Sequence, residues 1–136
     1  MINKALFARH GLRMTEQREL IYSTFVRMNG HQSVDSVYNE CIKRGLRIGK
    51  TTIYRTLNLF VKLKLVDMLA IRGFPVLYET KKEHHHHFVC TKCHNIYDIK
   101  GCAIRGYMPG SKFHAKYHDI VFYGICDRCY NSDEKR

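Results

Sequence analysis

The sequence predicts an α+β chain in two parts, three helices and a β-hairpin first and a smaller strand-rich unit after them. Three observations predict this. Up to about Lys64 apolar residues recur at helical spacing, punctuated by Asn29-Gly30 and Gly45. From Leu65 to Glu79 the pattern changes to apolar–polar alternation on either side of Arg72-Gly73-Phe74-Pro75. Beyond the polar Lys81-Lys82-Glu83 come the short strand-like segments HFVC, NIYDI and DIVFYGI, set among two Cys-x-x-Cys pairs.

In MTEQRELIYSTFVRMNG, Thr15 is placed to cap a helix whose buried stripe is Leu20, Ile21, Phe25 and Met28, and Asn29-Gly30 ends it. SVDSVYNECIKRG repeats the logic, with Ser33 as cap, Val34, Val37, Tyr38, Cys41 and Ile42 as stripe, and Gly45 as stop. Cys41 on that stripe reads as core. After the short connection RIGK, a third helix is expected from about Lys50 to Lys64. Helix, helix, short link, helix is the order of a helix-turn-helix, and the hairpin after it makes the unit a winged helix. The predicted boundaries are 1–80 for this unit, 81–84 for a hinge and 85–136 for the second. Order is expected throughout, save for the last few residues.

Charge separates the two parts as sharply as pattern does. The net charge of +11 divides into an excess of +9 over residues 1–82 and +2 over 83–136. A basic half is the electrostatic footprint of a nucleic-acid binder, because neutralising phosphates releases counterions. In KTTIYRTLNLFVK, Ile53, Leu57, Phe60 and Val61 fall on one side of the helical wheel and Thr51, Thr52, Arg55 and Asn58 opposite, with Leu59 the exception. Arg55 is suited to guanine edges, the threonines to thymine methyl groups, and Tyr54 at the boundary to a base or phosphate. Taken alone the pattern is that of any amphipathic helix; the helix order, the wing and the basic half turn it into a DNA-reading candidate.

The second part has roughly 50 residues, too few to bury an adequate apolar core unaided, so it needs a structural metal, a partner subunit or both. Cys90-x-x-Cys93 and Cys126-x-x-Cys129 offer four thiolates from two tight turns, the donor set of a tetrahedral structural Zn²⁺. A redox dithiol is the rival reading, but one pair would suffice for that and its βαβ context is missing. Cys102 is left over. The run His84-His85-His86-His87 is internal and leads into a strand, unlike an affinity tag. The apolar stretch IVFYGIC is far too short to span a bilayer and MINKALFARHGLR lacks a signal core, so a cytoplasmic protein is expected. Neither His-Glu-x-x-His nor His-x-Glu with Pro-Cys-x-x-Cys occurs, which argues against a zinc hydrolase or deaminase and against a small organic substrate.

The ordered segments GLRMTEQR, HQSVDSVY, KTTIYRTLNLF, LYE, HHHHFVCTKC, YD and YGICDRC resemble the ferric uptake regulator family from about residue 3 to residue 130. That resemblance implies a homodimeric, cytoplasmic bacterial transcription factor, mostly a repressor, that binds double-stranded DNA at an AT-rich inverted repeat. A winged-helix domain would be followed by a small α/β dimerisation domain. It implies structural zinc on Cys90, Cys93, Cys126 and Cys129, and a regulatory site on His31, Glu79, His85, His87 and Asp98. Strand alternation agrees, since His85 and His87 point to one face, and a mixed N/O set suits Fe²⁺ or Mn²⁺ as well as Co²⁺ or Zn²⁺. Arg13 matches the family's minor-groove basic residue.

A third site of the family would fall on His84, His86 and His118. Its glutamate has no counterpart in GCAIRGYMPGSK, where Arg105 stands near the expected place, so the site requires Cys102 or Asp119 as a substitute. His94 stands where relatives usually have glycine and receives no role. Asp98, where iron sensors more often carry glutamate, resembles the peroxide-responsive branch, whereas Glu79 points to the iron-responsive one. The expectation is a peroxide sensor using Fe²⁺ or Mn²⁺, with an iron-responsive repressor, or a zinc-stabilised DNA-binding adaptor without sensing, as alternatives.

Overall fold

The computed structural model describes residues 4–134, and it divides into two compact units, Met1–Lys81 and Lys82–Arg136. In the first, α1 (Lys4–Arg9), α2 (Glu16–Met28), α3 (Val34–Lys43) and α4 (Lys50–Lys62) precede a small antiparallel sheet. That sheet has the order β1 (Gln32–Ser33), β3 (Leu77–Thr80), β2 (Val66–Leu69). The caps fall where side-chain chemistry places them. Thr15 accepts the Arg18 amide at 3.3 Å and Ser33 accepts the Ser36 amide at 3.1 Å, each satisfying a donor that a helix start leaves open. At the far end of α2, Asn29 takes φ +55° with ψ 174°, outside the left-handed helical well, and Gly30 follows at φ +64°.

The core of this unit is built from most of the predicted stripes: Ile21 and Phe25 of α2, Val37 and Cys41 of α3, Ile53, Leu57 and Phe60 of α4, closed by Val66 and Tyr78 of the wing; Ile42, expected on the stripe of α3, is instead half exposed. Cys41 is fully buried, and burial pushes its thiol above the ordinary range, as expected of a packing residue. Two features escaped the sequence reading. Helix α1 has only six residues, too few for a periodic signal, yet its Phe7 is fully buried edge-on against Phe60 at 6.2 Å between centroids. Strand β1 is two residues long and is defined only by its pairing of Gln32 with Tyr78 and Ser33 with Leu77.

The second unit is a three-stranded sheet with the order β5 (Ile96–Lys100), β4 (His85–Cys90), β6 (Val121–Gly124), followed by α5 (Asp127–Glu134). The central strand pairs antiparallel with β5 and parallel with β6. Helix α5 was not expected; it carries order as far as Glu134, and residues 135 and 136 lie outside the described residues. A Cβ at Gly124 would meet the Phe88 ring at 3.2 Å, so a larger residue there needs that ring to shift by a few tenths of an ångström. Between β5 and β6 the chain runs through residues 101–120 without helix or strand, a connection long enough to expect a function of its own. Tyr97, Ile99 and Phe122 remain more than a third exposed, as a unit with so small a core must allow.

Because Phe7 and Phe60 share one aromatic contact, Phe60→Ala should cost about 3–5 kcal/mol of stability, and Phe7→Ala should cost less than the full value only if α1 detaches. Urea unfolding followed by far-UV circular dichroism checks both; a loss under about 1 kcal/mol for Phe60→Ala would contradict the packing described.

Candidate metal centres and nucleic-acid interface

The four paired cysteines meet within the second unit. Cys90 ends β4, Cys93 lies in the turn after it, Cys126 follows β6 and Cys129 sits in the first turn of α5. One sulfur from each lies within 4.8 Å of all the others, and Cys93 Sγ is 3.8 Å from Cys126 Sγ. That separation is far beyond a disulfide bond and matches the edge of a tetrahedron with metal–sulfur bonds of about 2.3 Å, so the donor set fits Zn²⁺. All six cysteines are free thiols.

The backbone prepares the cluster for an anionic state. The Cys93 and Cys126 amides each donate to Cys90 Sγ at 3.4 Å, and these amide hydrogen bonds bring the Cys90 thiol down to about 6. The Tyr97 hydroxyl is the main cause that lowers Cys126, while burial, with the other thiols around it, drives Cys129 up to about 12. Four clustered thiols cannot all ionise without a counter-charge, which a divalent metal supplies. The turn is closed by the His94 amide on Cys90 O at 2.9 Å, with His94 itself at φ +58°. Left-handed backbone explains why glycine suits that position better than histidine does.

The histidine run is divided by the alternation of β4. On one face stand His85 and His87, with ring centroids 4.9 Å apart. Asp98 of β5 is the cross-strand partner of His87 and lies 4.0 Å from His85 Nε2 through Oδ1. Lys82 holds the other carboxylate oxygen at 2.7 Å. The remaining predicted regulatory residues belong to the first unit. His31 lies just before β1 and Glu79 in β3; His31 Nε2 is 3.4 Å from Glu79 Oε2, and Glu79 is 1% exposed. A buried carboxylate is costly unless a partner compensates its charge.

On the other face, His84, His86 and His118 come together. Ring centroids of His84 lie 4.6 Å from His86 and 4.7 Å from His118, and Cys102 Sγ is 3.1 Å from His118 Nε2. Burial, then the neighbouring His84 and His118 rings, holds His86 below the usual histidine range. Asp119 is no member of this group; Cys102 is.

In the winged unit, α4 shows Thr51, Tyr54 and Arg55 to solvent, Tyr54 with 54% of its surface free. Thr52 and Asn58 are half-buried, and Asn58 Oδ1 accepts the Tyr78 hydroxyl at 3.3 Å, so part of its hydrogen-bonding capacity fixes α4 to the wing. Arg13 is exposed in the turn between α1 and α2, where its carbonyl accepts from the Arg18 guanidinium. No described helix is long and apolar enough to cross a membrane.

Loss of one thiol should dismantle the cluster. Cys126→Ser should release zinc and solubility together, and Tyr97→Phe, which keeps all four sulfurs, should weaken zinc retention about 10-fold or more. Competition against a chromophoric chelator measures both; unchanged zinc retention in Tyr97→Phe would show that its hydroxyl does not support Cys126.

The Ferric uptake regulator family matches residues 9–123 of the chain. The ferric uptake regulation protein of Campylobacter jejuni is 30% identical over 140 residues, covering 97% of this chain and 88% of that protein. The ferric uptake regulation protein of Bacillus subtilis is 32% identical over 126 residues, covering 86% and 85%. Among solved structures, the ferric uptake regulator of Francisella tularensis, determined with iron, superposes with a TM-score of 0.69 at 26% identity, covering 88% of this chain and 96% of that one. With a winged helix-turn-helix unit, a four-thiol cluster and this extent of likeness, the chain belongs to the ferric uptake regulator family, whose members are dimeric, metal-responsive DNA-binding transcription regulators and not enzymes.

Proposed function

We propose that this regulator is a cytoplasmic, mostly repressing sensor in which a metal at His31, Glu79, His85, His87 and Asp98 sets affinity for an AT-rich inverted-repeat operator. The reading is supported by N/O donors on both sides of the junction at Lys81–Lys82. A buried His31–Glu79 pair precedes the junction, and His85, His87 and Asp98 share one face of the sheet after it. A ligand held by both halves would tie the units together, and it shifts their equilibrium only by its differential affinity for the tied form. Operator binding by a twofold dimer demands one spacing of the two α4 helices, so the tied form is the one that binds.

Three imidazoles with two carboxylates suit Fe²⁺ or Mn²⁺, and the four cysteines suit structural Zn²⁺. Bound Fe²⁺ would supply the one-electron reduction of peroxide, which Mn²⁺ at the same donors would not. The chain's contribution is to place the His31 and His85 imidazoles where oxidation destroys the donor set and frees the DNA. Asp98 favours this peroxide-responsive reading. Glu79 and the ferric uptake regulation proteins among the relatives favour the alternative, an iron-responsive repressor without histidine oxidation. Operator-binding assays with Fe²⁺ or Mn²⁺, before and after dilute peroxide, separate the two. Peptide mass analysis should find one oxygen added to His31 or His85 with Fe²⁺ only. DNA release with both histidines intact and Cys90 and Cys93 oxidised would move sensing to the thiol cluster, and metal-independent affinity would leave an adaptor without sensing.

His85→Ala and Asp98→Ala should abolish the metal-dependent gain in operator affinity and keep the structural zinc. Lys82→Met should increase regulatory-metal affinity, because the Lys82 ammonium and a metal compete for the same Asp98 carboxylate. Isothermal titration with Mn²⁺ reads this, and weaker binding by Lys82→Met would refute the competition.

In the DNA-reading unit, Arg55→Ala should relax sequence preference, whereas Arg13→Ala should weaken binding to most sequences alike. Fluorescence anisotropy on operator and random duplexes distinguishes them; equal losses on both duplexes for Arg55→Ala would argue against base readout.

A further inference from the structure

We propose that Asp35 is an internal competitor for DNA phosphate, holding the Lys50 ammonium in an ion pair that opens on the operator and stays closed on other sequences. The inference rests on α4 as the DNA-reading helix, and it adds a specificity-determining pair to the residues that face the bases. Lys50 is the first residue of α4, and its Nζ lies 2.8 Å from Oδ1 of Asp35 in the first turn of α3. The spacing 50, 51, 54, 55 puts Lys50 on the exposed face of α4 that carries Thr51, Tyr54 and Arg55.

Sequence and charge explain why the pair forms. The chain from Arg44 to Lys64 contains neither Asp nor Glu, so a counter-charge for Lys50 has to come from another element, and α3 supplies it. A cation on the first residue of a helix also faces the positive end of the helix dipole, which favours an anion beside it. Tyr38, three residues after Asp35 on α3, sets its ring centroid 5.2 Å from the Lys50 ammonium. Carboxylate and ring face together hold the cation at the corner of α3 and α4.

The pair is placed to exchange. The Lys50 and Asp35 side chains remain 56% and 71% exposed, and an ion pair so open to water contributes little to stability and is screened by salt. A phosphate that docking brings within reach of Lys50 therefore replaces the carboxylate at small cost. Base-edge contacts fix that docking on the operator. On other sequences nothing holds α4 at that depth, and the Asp35 carboxylate repels the backbone. Closed, the pair removes one phosphate contact, with its released counterion, from non-specific binding. Asp35 thus widens the gap between operator and random DNA without touching a base.

The test uses the full-length, zinc-containing protein loaded with Mn²⁺, on an operator duplex selected from a random pool and on a random duplex of equal length. Fluorescence anisotropy across a salt series reads both. Asp35→Asn should bind the random duplex more tightly than the parent does. That affinity should fall about 3-fold further than the parent's between about 50 and 200 mM salt, the mark of one added phosphate contact. Its operator affinity should change less, so its preference for the operator falls. Lys50→Met should weaken the operator salt dependence by about one contact and leave the random duplex as in the parent. The double variant of Asp35→Asn with Lys50→Met should match Lys50→Met alone, because Asp35 acts through Lys50. Circular dichroism and zinc content should stay as in the parent throughout. An unchanged random-duplex salt dependence in Asp35→Asn overturns the proposal, and so does a gain that persists in the double variant, which would reflect only a lost negative charge. Arg55→Ala, measured alongside, keeps the two readings apart. Lost sequence preference there with no effect at Asp35 refutes the competitor alone, and no effect at either position refutes α4 as the reading helix as well.

Discussion

A β-strand turns successive side chains to opposite faces, and in β4 that constraint decides most of the chemistry of the chain. Four histidines in sequence become two pairs that cannot share an ion: His85 and His87 with Asp98 on one face, His84 and His86 with His118 and Cys102 on the other. The strand then ends on Cys90, the first thiol of the four-cysteine cluster. One six-residue strand with its preceding histidine thus supplies donors to three separate groups of ligands. A register slip of one residue would exchange the faces and destroy two of them at once, so the pairing of β4 on both sides is under strong selection by energy alone.

The four-cysteine cluster meets the other requirement, that so small a unit hold its shape. Its ligands join the end of β4, the turn after it, the end of β6 and the start of α5, which fixes the parallel neighbour of β4 across thirty intervening residues, β5 among them. Parallel pairing over such a separation has a large closure entropy, and a metal bound on both sides offsets it where the sparse apolar packing cannot. Amide donors on Cys90 and the Tyr97 hydroxyl on Cys126 favour thiolates before any ion arrives. The same sheet can therefore hold its histidines in register for the two faces.

The winged unit rests on ordinary packing. Phe60 sits between Phe7 and Tyr22, with Tyr78 closing the wing side, so α4 is fixed from behind while Thr51, Tyr54 and Arg55 face outward. The side chains that would read DNA thus stand on a rigid element, which directed readout requires. Asn58 shows a compromise at its border, since its carbonyl oxygen serves the Tyr78 hydroxyl.

The sequence by itself determined α2, α3 and α4, because the Thr15 and Ser33 caps of the first two and the apolar spacing of all three are local signals. It determined the four-cysteine cluster too, since paired Cys-x-x-Cys spacing carries its own chemistry. The resemblance to a family then named the regulatory residues, whose donor types agree with it. Helix α1 and strand β1 were invisible, being too short for any period and defined only by what Phe7 and Gln32 touch. Helix α5 was hidden by its polar composition. Cys102 is the clearest case for tertiary structure. Alone beside Gly101 it carries no motif, and only two strand registers, one antiparallel and one parallel, bring it to His118 and against the face of His84 and His86. Ligand sets drawn from distant segments depend on register, and register is a property of the folded sheet rather than of any stretch of sequence.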